Sequence, residues 1–142
     1  VAEETGLTTA PITIDDEDQV MRWVNKFGVE KRADGSFKKL RPGAFPLLPS
    51  HARGFSVWLR RLMSIEVCKQ KASEAKGEQI GLVILTAKDF RDFGLDVEQV
   101  PEHDETAHCE VTNYQGKSET ELTDIKREWI RRTQNTFTAL DR

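Results

Sequence analysis

The sequence predicts an α+β fold: a small, mainly antiparallel sheet packed by an N-terminal and a long C-terminal helix. Three observations predict it. Residues 54–60 and 107–112 alternate apolar and polar side chains, the period of a strand with one covered face. Residues 79–85 are apolar on both faces, as in a strand covered on both sides. Residues 118–137 repeat apolar side chains at helical spacing behind a capping box.

Taken in order, residues 1–13 read as a flexible or strand-adding arm, and 14–142 as a single α+β domain. Asp15 and Asp16 offer N-caps for a first helix, in which Val20, Trp23, Val24 and Phe27 fall at i, i+3, i+4 and i+7. Gly28 supplies its stop. A hairpin over 29–40 turns at Asp34-Gly35, and Pro42, Pro46 and Pro49 impose an irregular crossing after it. On the strand at 54–60, Phe55, Val57 and Leu59 face one way, and Ser56, Trp58 and Arg60 the other. Ser64 caps a helix over 65–75 with a seam of Ile65, Cys68, Ala72 and Ala75. After the apolar strand, Thr86 and Asp89 open a short helix that Gly94 ends, and 95–100 is extended. At 107–112, Ala107, Cys109 and Val111 share one face, and His108, Glu110 and Thr112 the other. The last helix buries Leu122, Ile125, Trp129, Ile130, Thr133 and Phe137, with acids early and Arg131 and Arg132 late, as the helix dipole favours.

Composition excludes several classes. With 37% apolar and 32% charged residues, three Trp and seven Phe, the chain reads as a compact globule with a charged exterior. No stretch approaches the ~20 apolar residues of a membrane span. Residues 1–11 lack the basic and apolar regions of a secretory signal, and Cys68 and Cys109 form neither a zinc spacing nor a disulfide framework, so a reducing cytoplasm is expected. No Walker loop, Gly-x-Gly-x-x-Gly, Gly-x-Ser-x-Gly, HExxH or paired CxxC is present, so neither a cofactor nor a resident metal is expected.

Charge is segregated along the chain. Lys31, Arg32, Lys38, Lys39, Arg41, Arg53, Arg60 and Arg61 face one acid, Asp34, so residues 31–61 carry +7 and the rest −10. A positive patch on a negative body attracts a phosphate-rich ligand or an acidic protein surface. Phe37 and Trp58 lie among these cations, where an aromatic ring can stack on a base while cations neutralise phosphates. A solvated basic face explains the same residues without a ligand.

Two of the three histidines, His103 and His108, sit among Asp104, Glu105 and Glu110. On a strand, His108 and Glu110 point the same way, which suits general acid/base work or metal ligation. The plainer alternative has His108 donating to a backbone carbonyl and fastening the preceding loop. His51 precedes the 54–60 strand. Convergence of His51 and His108, with Arg60 and Lys39 holding the phosphate, describes a metal-independent ribonuclease.

Gly54-Phe-Ser-Val57, Gly81-Leu-Val-Ile-Leu-Thr-Ala87 through Phe93-Gly-Leu95, and Pro101 to Ala107-His108 resemble motifs of a group of small, functionally uncharacterised bacterial proteins. Those proteins carry a Leu-Ser-Val strand, a Leu-Thr-Ala helix start and an Ala-His strand. Here Phe55 replaces the leucine, and an acidic loop precedes His108 in place of Asn-Pro. The resemblance implies that Ser56 and His108 lie close to whatever site exists, and it implies no reaction.

The leading expectation is a non-enzymatic binding module of a bacterial assembly, its basic 31–61 face engaging nucleic acid or an acidic protein surface. The alternatives are the ribonuclease using His51 and His108, and a metal-dependent hydrolase at His103, His108 and Glu110.

Overall fold

The computed structural model describes residues 12–76, 78–102 and 105–140; most of the expected arm, residues 1–11, lies outside them. Among the described residues, eight strands and three α-helices follow in order: β1 Gln19–Asn25, β2 Val29–Lys31, β3 Phe37–Leu40, β4 Ser56–Leu59, α1 Ile65–Glu74, β5 Gln79–Thr86, α2 Ala87–Arg91, β6 Asp96–Gln99, β7 His108–Thr112, α3 Glu119–Thr133 and β8 Thr138–Ala139. Six strands form one antiparallel sheet in the order β6-β7-β4-β1-β5-β8, and β2 and β3 form a separate hairpin. No helix among the described residues is long and apolar enough to cross a membrane.

The expected first helix is a strand. Seven residues of β1 pair with β5, and Val20 and Met21 also pair with Leu59 and Trp58 of β4. The Val20, Trp23, Val24 spacing satisfies a strand covered on both faces as well as a helix. The helical reading omitted Met21, which is fully buried, and put Phe27 in the seam, where it is 71% exposed. The expected caps have other work. Asp15 and Asp18 close a turn, and Asp16 pairs with Arg91 at 2.7 Å. Gly28 is required by close approach, because a Cβ there would lie 2.8 Å from Val24 Cγ1 and 2.9 Å from Ala44 Cα. The packing helices are therefore the central α1 and the C-terminal α3.

The other elements follow from local chemistry. Ser64 Oγ accepts from the Val67 amide at 3.1 Å and starts α1. Ser118 and Glu121 exchange the two hydrogen bonds of a capping box, at 2.9 and 3.1 Å, and start α3. Asp89 accepts from the Thr86 amide at 2.8 Å to start α2, and Gly94, with φ of +81°, closes the turn after it. Hairpin β2–β3 turns over residues 32–36, with Gly35 at φ +88°. The two-residue β8, which neither pattern nor propensity signalled, pairs with β5 at Gly81 and Leu82.

The sheet separates two apolar layers. Val20, Val24, Phe55, Val57, Leu59, Val83, Leu85, Val97, Cys109 and Val111 meet Leu122, Ile125 and Trp129 of α3 in the main core. Met21, Trp58, Leu82 and Ala107 meet Met63 and Cys68 of the α1 side in the second. Ala107 thus joins the opposite layer from Cys109, the alternation starting only at His108. Arg22, half-buried, is an unforeseen residue beside the main core. It donates to the carbonyls of Ala44 (3.4 Å) and Ser56 (3.1 Å) with its guanidinium 4.9 Å from the Phe55 ring. Desolvation draws its pKa down to about 10.

Candidate functional site

Register builds the site. Ser56 stands opposite Glu110 and Trp58 opposite His108 in the β4–β7 ladder, and Met21 of β1 stands opposite Trp58. Opposed residues share a face of a sheet, so Ser56, Trp58, His108 and Glu110 all point to the α1 side. A cleft of about 440 Å³ opens there, lined by Arg22, Trp23, Ser56, Trp58 and His108 from the sheet, Lys71 and Glu74 of α1 with its C-cap Ala75, and Glu102 and Glu105 from the β6–β7 loop. The backbone of Glu102 and Glu105 is bonded reciprocally at 3.2 and 2.7 Å, which holds both carboxylates over the same opening.

His108 is the polar centre, with 3% of its surface exposed. Its Nδ1 lies 2.6 Å from the Val100 carbonyl oxygen, which only accepts, so Nδ1 carries a proton and donates. In the neutral ring Nε2 is then a lone pair. Ser56 Oγ, 2.8 Å away, donates its hydroxyl proton to it. The loop-fastening role expected of His108 and its approach to Ser56 are both present. Glu102 Oε1 lies 3.8 Å from the same Nε2.

Arg53 spans the two carboxylates beside this imidazole. Its Nη2 is 2.8 Å from Glu102 Oε2 and also bonds Glu110 Oε2. Trp23 and Trp58 form the apolar wall, their rings stacked at 4.0 Å between centroids and 17° between planes. Trp23 Nε1 donates to Cys68 Sγ at 3.3 Å. Burial pushes the Cys68 thiol up to about 11 and the Cys109 thiol up to about 12, so neither is a thiolate nucleophile at neutral pH.

The other sequence candidates lie elsewhere. His51 is outside the cleft lining: its Nδ1 accepts from the Leu48 amide at 3.3 Å, and its carbonyl accepts from the Tyr114 hydroxyl at 2.6 Å. His103 lies outside the described residues. Lys38, Lys39 and Arg41 gather around Glu30 at 2.9, 3.8 and 3.7 Å, and Arg61 pairs with Asp18 at 2.8 Å. Arg32 donates to the Phe37 carbonyl, and the Phe37 ring is stacked on Phe137 at 4.3 Å. Lys31 ends β2 on the hairpin, whereas Arg60 follows β4 and bonds Gln19 at the other end of that strand from Ser56. Among the described residues, five of the eight cations, including Arg53, are thus within ion-pair distance of a carboxylate of the same chain.

Sequence reasoning missed Trp23, Glu102 and Glu105 as cleft residues. The signal for Trp23 was its place among buried strand residues, read instead at helical period. The acids sat in a loop, where no periodicity points a side chain. No family model, curated protein or solved structure matches this chain, so the meaning of the cleft rests on its own geometry.

Proposed function

We propose that this chain is a binding module whose cleft takes a positively charged organic group, either a small amine or a basic side chain of a partner. The observation that carries the reading is the lining: a tryptophan wall beside three carboxylates, Glu74, Glu102 and Glu105, against two cations, Arg22 and Lys71. Lys71 is itself 3.6 Å from Glu105, and the Arg22 guanidinium is engaged by the Ala44 and Ser56 carbonyls and lies 4.9 Å from the Phe55 ring. An aromatic face attracts a cation through its quadrupole, and partial desolvation in a cleft strengthens that attraction to roughly 1–2 kcal/mol. The same lining repels a polyanion.

Phenethylamine and phenylacetate, which share a ring and differ in charge, test this directly. Titration followed by the indole N–H signals of Trp23 and Trp58 is expected to show the amine binding about tenfold more tightly than the acid. A Trp58→Phe variant is expected to weaken the amine. Equal shifts from both compounds, or preference for the carboxylate, would sink the reading.

The hairpin supports a second reading, an acidic or phosphate-rich partner on its outer strands. Residues 29–41 carry five cations and two acids, so the cluster around Glu30 keeps a positive surplus. Binding of a labelled single-stranded RNA, read by fluorescence anisotropy, is then expected to weaken steeply with salt and to vanish in a Lys38→Glu/Lys39→Glu variant. Salt-independent binding, or none, removes this reading and leaves the cleft untouched.

A further inference from the structure

We infer that Ser56 and His108 form a nucleophile–base dyad that hydrolyses small carboxylic esters in the cleft. The inference goes beyond the organic-cation reading and does not depend on it, because it concerns what happens to an occupant whatever its charge.

Three observations carry it. The first is the pair itself. Ser56 Oγ stands 2.8 Å from His108 Nε2, within the hydrogen-bond reach that activating a serine requires. The hydroxyl donates to the Nε2 lone pair, so the atom that must lose a proton touches the atom that must take it. The second is the group that orients the base. His108 Nδ1 donates to the Val100 carbonyl at 2.6 Å, and the Val100 amide donates to the His108 carbonyl at 2.9 Å. This reciprocal tie fixes the tautomer and the ring plane, the part a carboxylate plays in a Ser-His-Asp triad. Trp58 packs edge-on to the same ring at 5.7 Å between centroids. The third is access. Ser56 and His108 both line the cleft, beside a tryptophan wall that offers an apolar seat for an acyl or aryl group.

In the first step Ser56 Oγ bonds to the ester carbonyl carbon while its proton passes to Nε2. Glu102 Oε1, 3.8 Å from that nitrogen, favours the imidazolium so formed. The Arg22 guanidinium, bonded to the Ser56 carbonyl at 3.1 Å, puts a positive charge beside the residue on which the oxyanion develops. The bond to the alcohol then breaks, Nε2 returns the proton to the departing oxygen, and the acyl group stays on Oγ. Water attacks this acyl-serine and gives one proton to Nε2, which passes it to Oγ as the carboxylic acid leaves. The Val100 carbonyl is neutral and supports the imidazolium less than an aspartate would, which directs the dyad to esters and not to the less reactive amides.

The test uses the full chain and two uncharged probes, p-nitrophenyl acetate and phenylmethanesulfonyl fluoride. Wild type is expected to release p-nitrophenolate over many turnovers and to take up one sulfonyl group, which peptide mass spectrometry places on Ser56. Ser56→Ala is expected to lose both reactions, and His108→Gln to slow both by about 100-fold or more, the usual worth of a general base. An unlabelled wild type overturns the inference without recourse to any variant. So does a label confined to another residue, or turnover that survives in Ser56→Ala. Amine binding is read by a separate titration, so either proposal can fail while the other stands.

Discussion

Replacing Trp129 with alanine is expected to lower the stability of the domain by about 3–5 kcal/mol, the range for truncating a large buried aromatic. Trp129 is fully buried on α3, and it is where that helix meets the sheet. Its ring lies 5.4 Å from Phe45, 6.0 Å from Phe55 and 5.1 Å from Phe90, two of these contacts edge-on. Its Nε1 donates to the Asp89 carbonyl at 2.7 Å, tying α3 to α2. Alanine removes the ring, the hydrogen bond and the common contact of three phenylalanines, leaving a cavity their rings can only partly fill. The midpoint of thermal unfolding should fall by roughly 10–20 °C. Trp129→Phe should recover most of this loss and still lack about 1 kcal/mol for the missing donor. A midpoint unchanged in the alanine variant would mean that α3 does not hold the sheet as described.

Gly54→Ala is expected to be comparably damaging, by about 3 kcal/mol, through the opposite fault of overpacking. A Cβ at this position would lie 1.9 Å from the Val111 carbonyl oxygen and 3.2 Å from the Tyr114 ring. The obstacle is strand backbone, which cannot step aside as a side chain can. Either β7 shifts or the chain entering β4 does, and the Ser56–Glu110 and Trp58–His108 register lies immediately beyond. Loss of the Ser56–His108 hydrogen bond, visible as a change in the His108 ring nitrogen signals, should accompany the loss of stability. Gly116, whose Cβ would meet nothing within 4 Å, is the control, and its alanine variant should be neutral. Equal behaviour of the two variants in chemical denaturation would contradict this account of the β4–β7 approach.

Much of the architecture was legible wherever one period could be told from another. The capping box at Ser118, the two-faced apolar run of β5, the alternation in β4 and, from His108 onward, that in β7 each match their element. The pattern over β1 did not. A strand covered on both faces buries neighbours in sequence as well as alternate residues, so Val20, Trp23 and Val24 also satisfied a helix. Only pairing with β4 and β5 decides between them.

The site was legible in halves. Ser56 with Trp58, and His108 with Glu110, were each placed on one face by spacing. That the two faces coincide is a matter of strand register, which a single sequence does not encode locally. The eight cations of residues 31–61 were adjacent in sequence, yet the fold sends them to the hairpin, to both ends of β4 and into ion pairs with Glu30, Glu102, Glu110 and Asp18. Linear clustering of charge predicts a surface only when the segment stays together.

The stacking of Phe37 on Phe137 has a mechanical meaning. Phe137 covers Gly81, where a Cβ would come within 2.6 Å of its ring, and it directly precedes β8. Besides the core contacts of Val29 and Leu40, the hairpin is thus joined to the shortest strand of the large sheet, two residues long. A partner that grips the hairpin therefore also tugs on that terminal rung, which β5 and β1 separate from the strand carrying Ser56.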